Sequence, residues 1–264
     1  MPTFIPENYW ENRLTGSFGI ESVGRLGVGK SFNNWMYRVK KRVLTREMKA
    51  IGPDLQDKEV LDVGVGTGFC FDNWKENGVD KMTGVDITNI SIEKLRGKYP
   101  DHPFYRLDIG GGLNELAGRT YDAISALDVL YHIVDDVRFA KAITNLYSLL
   151  KPGGVLIFSD VFIHGSTVRT EHFVWRPLET TEFVLEEAGF ELVKRVPLLF
   201  LMNDPIDTKS RFLKANWRAL VSVASKNELS GFLFGMVLYP FENICVSLFK
   251  ESPTTELLIC RKPK

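Results

Sequence analysis

The chain has 264 residues, enough to bury a substantial core in one large domain with additions. Its 33 Lys and Arg residues balance its 33 Asp and Glu residues, so no overall field draws it to a polyanion and no nucleic-acid partner is expected. Three cysteines, at 70, 245 and 260, lack the spacing of a metal site or a disulfide framework, which suits a reducing cytoplasm and leaves no metal expected.

At the N-terminus Glu7, Glu11 and Arg13 stand where a secretory leader needs an apolar run, so a cytoplasmic location is expected. Residues 1–57 read as an N-terminal lid or substrate segment, with Tyr9, Trp10 and Trp35 available for an aromatic wall. Glycines at 16, 19, 24, 27 and 29 mark a stretch that moves or approaches something closely. Within it "GRLGVGKS" (24–31) has the letter pattern of a Walker A loop, and Ser31 stands where it would cap the helix "FNNWMYRVKKRVLTREMKAI". A working loop of that kind leaves a buried strand, and the upstream "YWENRLTGSFGIESV" is no strand. The segment therefore reads as a glycine-rich approach to a helix, with a P-loop phosphotransferase as the lesser alternative. Folded over a site, it would bring Arg25 and Lys30 to an anionic acceptor. The run Lys40-Lys41-Arg42 reads as the solvated face of its helix.

From residue 58 strands and helices alternate: "KEVLDVGV", "FCFDNWKENG", "KMTGVDIT", "SIEKLRGKYP", "PFYRLDI", "YDAISALDVL", "DVRFAKAITNLYSLLK", "GVLIFSDVF", "ETTEFVLEEAG" and "FELVKRVPLLF". Short apolar strands between amphipathic helices predict a parallel sheet covered on both faces, the doubly wound α/β class. The expected organisation is a core over 58–202, a helical insertion over 203–250, and a final core strand within 251–264 carried by "TTELLICRK". Inside the insertion, "GFLFGMVLYPFENICVSLF" (231–249) is apolar enough to raise the question of a membrane. Pro240, Glu242 and Asn243 break it near the middle, so a buried helix pair or lid is expected, with no stable membrane insertion and a lipid-facing patch as the lesser reading. The insertion would serve as a lid or as the contact of a homodimer.

"VLDVGVGTGF" (60–69) runs a buried strand into Gly64-x-Gly66-x-Gly68 and then a helix, which lets a ligand touch the backbone. Phe69 stands where a dinucleotide fingerprint has its third glycine, which argues for a ligand without a pyrophosphate. Asp86, 20 residues after Gly66, ends the second strand as an acceptor for ribose hydroxyls. Asp108 ends the third strand, where it can accept from an exocyclic amine such as that of adenine.

On these residues the stretch from 58 to about 200 resembles class I S-adenosylmethionine-dependent methyltransferases. "YDAISALDVLYHI" resembles their fourth motif, and "LLKPGGVLIFSD" their post-motif turn and fifth strand. The resemblance implies a Rossmann-like seven-stranded sheet with a reversed last strand, S-adenosylmethionine as cofactor and S-adenosylhomocysteine as product. It implies that Asp62, Gly64, Gly66 and Gly68 meet the methionine part, Asp86 the ribose and Asp108 the adenine, with Ile87, Ile109 and Leu127 completing the cofactor site.

Methyl transfer from a sulfonium is an in-line displacement governed by positioning, and a hydroxyl acceptor also gains from a base. His132, Asp160 and His164, at or after the fourth and fifth strands, are the candidate catalytic residues, while His172 and Arg176 are placed on a substrate wall. The expected activity is methylation of a small molecule, at a hydroxyl of a sugar or natural product ahead of a small amine. A non-catalytic binder of the same cofactor is the remaining alternative.

Overall fold

A computed structural model describes residues 5–52 and 55–264; residues 1–4 and 53–54 of the expected N-terminal addition lie outside the described residues. Three helices come first: α1 (Pro6–Gly16), α2 (Ile20–Val23) and α3 (Gly29–Ile51). The alternating core follows as β1 (Glu59–Val63), α4 (Phe69–Glu76), β2 (Lys81–Asp86), α5 (Asn89–Lys98), β3 (Phe104–Arg106), β4 (Tyr121–Ala126), α6 (Asp136–Ser148) and β5 (Leu150–Asp160). A short hairpin of β6 (Val168–Arg169) and β7 (Val174–Trp175) precedes α7 (Leu178–Glu187) and β8 (Glu191–Pro197). The chain ends with α8 (Arg211–Ala224), α9 (Glu228–Leu248) and β9 (Glu256–Arg261).

The main sheet has seven strands in the order β3-β2-β1-β4-β5-β9-β8. β1 to β5 are mutually parallel, and β9 runs against both of its neighbours, as the doubly wound reading with a reversed last strand requires. The central strands β1, β2 and β4 are buried along most of their length because both faces are covered, whereas the edge strand β8 carries Glu191, Lys194 and Arg195. One face carries Phe32, Val39, Phe71 and Trp74 from α3 and α4; the other carries Phe139, Ile143 and Leu146 from α6. The order reverses between β1 and β4, and their carboxyl ends open the crevice at which such sheets bind ligands.

Three local expectations are corrected. The glycine-rich stretch holds a short helix, α2, and Arg13 of α1 ties it down by donating to the carbonyl of Gly24 at 2.9 Å. The next helix begins at Gly29 rather than after Ser31, and no local side chain caps it. Its free amides are taken by Glu228 of α9, which accepts from Lys30 N at 3.0 Å and Ser31 N at 2.7 Å. The Walker-like letters thus end in a helix start already holding the chain's own carboxylate, and a helical turn precedes them in place of a strand.

The apolar run 231–249 is also not a helix pair. It lies in one helix that continues through Pro240. Gly235 seats this helix on α3, where an added Cβ would lie 2.1 Å from Trp35 Cδ1. The Glu242 carboxylate accepts from Phe200 N at 2.7 Å and Leu201 N at 2.6 Å, pinning the helix to the segment after β8.

Candidate active site

A cavity of about 510 Å³ lies over the carboxyl ends of β1, β2 and β4, in the size range of small-ligand sites. Trp10 and Leu14 of α1 and Tyr37 and Lys40 of α3 wall its outer side. α1 is held there by Glu11, whose carboxylate accepts from Asn89 N at 2.7 Å and Ile90 N at 3.1 Å at the start of α5. An ion pair between Glu7 and Arg106 adds a second tie.

The turn after β1 needs glycine for a steric reason. Gly64 has φ +69°, and a Cβ there would fall 2.3 Å from Val129 Cγ2. Gly66, at φ +48°, lines the cavity and donates its N–H to Asp86 Oδ2 at 2.8 Å. Asp86 Oδ1 accepts from the Thr88 amide at 2.9 Å and the Thr88 hydroxyl at 2.7 Å. Burial outweighs these bonds and raises the Asp86 pKa above the ordinary carboxylate value. Gly68 faces away: an added Cβ would meet Leu95 Cδ2 of α5 at 2.9 Å, so this glycine serves helix packing.

Asp62 is the most telling carboxylate. Its Oδ1 accepts from Ser125 Oγ at 2.7 Å, and Ser125 in turn accepts from Trp74 Nε1 at 2.9 Å. Its Oδ2 is buried and, among the described residues, reached by no donor at hydrogen-bonding geometry, although the Cys70 thiol and Phe71 amide lie near enough to favour the anion. Burial pushes its pKa up to about 7. A carboxylate oxygen left orphaned on a cavity wall fits a cationic ligand group. Asp108 accepts from Gly110 N at 2.9 Å and pairs with Arg138, while Ile87, Ile109 and Leu127 line the same space.

The opposite wall holds residues that the sequence did not reveal. Lys40 is buried, not solvated, and its Nζ lies 2.5 Å from Asp128 Oδ2. Asp128 takes the left-handed conformation at φ +57°, and its Oδ1 accepts from Ser159 Oγ at 2.9 Å. Burial disfavours the charge on each partner, yet their mutual attraction prevails: the Lys40 pKa is raised and the Asp128 pKa lowered. Tyr37 carries the ammonium 4.9 Å from its ring centroid, and burial pushes its phenol up to about 12. Tyr131 and Leu198 complete this wall, and burial raises the Tyr131 phenol well above its ordinary value. A signal did exist in the helical spacing of Met36, Lys40 and Leu44, which places Lys40 on the buried stripe.

His132 lines the cavity beside Trp10, the ring centroids 4.9 Å apart. Its Nδ1 lies 2.7 Å from the carbonyl oxygen of His172. A carbonyl only accepts, so Nδ1 carries the proton and Nε2 keeps a bare lone pair. Burial pushes the imidazole pKa down to about 4, which keeps the ring neutral near pH 7.

The cavity therefore gathers Asp62, Gly64, Gly66, Asp86, Ile87, Asp108, Ile109, Leu127, Trp10 and His132 from the sequence reading. The others lie elsewhere. Asp160, whose pKa burial pushes up to about 8, turns to its neighbour's amide, accepting from Val161 N at 2.6 Å. His164 is half exposed and pairs with Asp207 at 2.7 Å. Arg176 clamps Asp136 at 2.8 Å and the Ile133 carbonyl at 2.9 Å, fixing the start of α6. Tyr9 and His172 stack on each other behind Trp10 and His132, their centroids 5.6 Å apart. Arg25 pairs with Asp204 at 3.3 Å and lies over Trp217, Lys30 sits in the first turn of α3, and Trp35 packs under α9.

A family model described as a methyltransferase domain matches residues 32–195. The ubiquinone biosynthesis O-methyltransferase of Neisseria meningitidis serogroup C is 26% identical over 113 residues, covering 41% of this chain and 46% of that protein. The tRNA U34 carboxymethyltransferase of Idiomarina loihiensis is 28% identical over 120 residues, covering 42% of this chain and 35% of that protein. The chain thus spans less than half the length of these curated relatives. Among solved structures, the N-methyltransferase NodS from Bradyrhizobium japonicum WM9, in complex with S-adenosylhomocysteine, shares the fold at a TM-score of 0.59. That likeness covers 98% of this chain and 99% of the other at 16% identity. With well over half its length matched, the chain belongs to the methyltransferase-domain family, and its strand order gives it the fold of class I S-adenosylmethionine-dependent methyltransferases.

Proposed function

We propose that the chain methylates a hydroxyl of a small, flat natural product, with His132 as the proton acceptor. The observation that carries this reading is the imidazole itself: neutral, tautomerically fixed by the His172 carbonyl so that Nε2 keeps its lone pair, and set in the cavity wall. A hydroxyl must shed a proton as it is alkylated, whereas a neutral amine need not do so beforehand. Trp10, Tyr37 and Phe69 line the space with aromatic surface, which favours a planar acceptor over a sugar. α1 over the cavity and the balanced charge of the chain favour a molecule that enters whole over a nucleic acid.

S-adenosylmethionine supplies the electrophilic methyl group when bound. The residues present fit it. Asp62 Oδ2 lacks a partner among the described residues and suits the ammonium of the methionine part, and the glycine turn lets the backbone come close. Asp86 Oδ2 has capacity for a ribose hydroxyl beyond its bond from Gly66, and Asp108 for the adenine amine. On the acceptor side His132 Nε2 takes the hydroxyl proton, the His172 carbonyl holds the tautomer, and the aromatic wall fixes the ring plane. The Lys40–Asp128 pair, held by Ser159, keeps the floor of the cavity polar and ordered.

Calorimetry with S-adenosylmethionine, S-adenosylhomocysteine and ATP, followed by methyl-label transfer to panels of phenols, sugars and amines, tests this reading. The expected result is binding of the first two ligands only, and label transfer to phenols that His132→Gln abolishes without weakening cofactor binding. Transfer confined to amines and indifferent to His132→Gln would refute it.

A further inference from the structure

α9 turns two unlike sides to its surroundings. Gly231, Gly235, Glu242, Asn243 and Val246 are buried against the protein. Opposite them Leu229, Leu233, Val237, Phe241, Ile244 and Leu248 recur every three or four residues and are 46% to 75% exposed. The polar residues that interrupt the apolar run in sequence do not interrupt this stripe. Glu242 is spent on the amides of Phe200 and Leu201, and Asn243 Nδ2 donates to the Tyr239 carbonyl at 2.6 Å. An uncharged apolar face of this length marks a contact surface.

The same insertion concentrates positive charge. Residues 203–250 carry six cations, Lys209, Arg211, Lys214, Arg218, Lys226 and Lys250, against four carboxylates, in a chain whose overall charge is zero. All six are exposed, and none pairs with a carboxylate among the described residues. All four carboxylates are engaged: Asp204 pairs with Arg25, Asp207 with His164, Glu228 caps α3 and Glu242 is buried. Exposed Phe212 stands beside Arg211 on α8, which places apolar and basic groups side by side.

We propose that the outer face of α8 and α9 docks on an anionic lipid bilayer, with the α9 stripe among the headgroup and upper acyl region and the cations at the phosphates. α9 is long and apolar enough to cross a membrane, but its glycine side is packed along α3, so the helix lies in the interface instead of spanning it. Charge complementarity selects the occupant. A second copy of the chain meeting this face symmetrically would set one group of unpaired cations against the same group, whereas anionic phosphates neutralise it. The docked helix is rigidly linked to the cavity wall, because the amides held by Glu242 follow Leu198 by two and three residues.

Vesicle flotation of the full chain tests this, using phosphatidylglycerol mixed with phosphatidylcholine against phosphatidylcholine alone. Binding to the mixed vesicles is expected, falling with added salt and at least about tenfold weaker on the neutral ones, since each cation near an anionic surface contributes about fivefold. Val237→Ser with Phe241→Ser, and separately Lys214→Glu with Arg218→Glu, should each cost about tenfold or more. Cofactor affinity by calorimetry should stay unchanged in both variants, which separates loss of docking from loss of the fold. Equal binding to both vesicle types, or none, overturns the proposal. So does a dimer in analytical ultracentrifugation that the Val237→Ser, Phe241→Ser variant dissolves.

Discussion

Acidification should destabilise the wild-type chain more steeply than a His132→Gln variant. The folded imidazole is pushed down to about 4, against about 6.5 in an unfolded chain. Above pH 6.5 both states are neutral and the ring contributes no pH dependence. Between 6.5 and 4 the unfolded state binds a proton that the folded state refuses, so stability falls as the pH falls through that window. Linkage gives a loss of about 2 kcal/mol by pH 5 and about 3 kcal/mol below pH 4. Buried carboxylates act in the opposite sense: Asp62, pushed to about 7, and Asp160, pushed to about 8, gain protons in the folded state as the pH falls. They are common to both proteins and cancel in the difference. Gln keeps an amide donor for the His172 carbonyl, so the variant retains the contact and loses only the titration. Urea denaturation of the two proteins from pH 7.5 to pH 5 reads the effect directly. Stability curves that stay parallel across this range would refute a neutral, proton-refusing His132.

Gly64→Ala should destabilise the apo chain by about 2 kcal/mol or more, from the left-handed backbone and the collision with Val129, and should abolish S-adenosylmethionine binding by calorimetry. Adding Val129→Ala should recover part of the thermal stability. Lys40→Met leaves the half-buried Asp128 without its cation and should cost about 2 kcal/mol or more in urea denaturation. The Lys40→Met, Asp128→Asn double variant should regain much of that loss. Glu228→Ala should remove the cap of α3 and lower stability by about 1 kcal/mol, and the freed amides should confer no ATP binding by calorimetry.

The cofactor half of the cavity was legible because its demands are local. Gly64 must be glycine within its own turn, and Asp86 braces a loop only 20 residues away. The acceptor half rests on partners that sequence spacing does not join. Lys40 lies in a run of cations and becomes buried only because Asp128, 88 residues on, comes to meet it. The Walker-like letters acquire their meaning from Glu228, 198 residues beyond Lys30. Glu242 and Asn243 look like breaks in an apolar run because a linear reading ignores which side of a helix each residue takes. Asp160 ends β5 and His164 follows it, one strand beyond the β1–β4 crevice, and both turn to other partners. The hairpin whose turn presents the His172 carbonyl has strands of two residues, too short for any periodic signal.

The reversed strand β9 has a consequence for how the chain is made. It is paired on both sides, with β5 and with β8, and β8 has no other neighbour in the sheet. While residues 256–261 are still inside the ribosome, two bare backbone edges therefore face one another across an unfilled slot. Closure waits for six residues that are synthesised after every other strand of the sheet and that must slide in between elements already formed. Nascent chains stalled short of this point should be the species that chaperones retain.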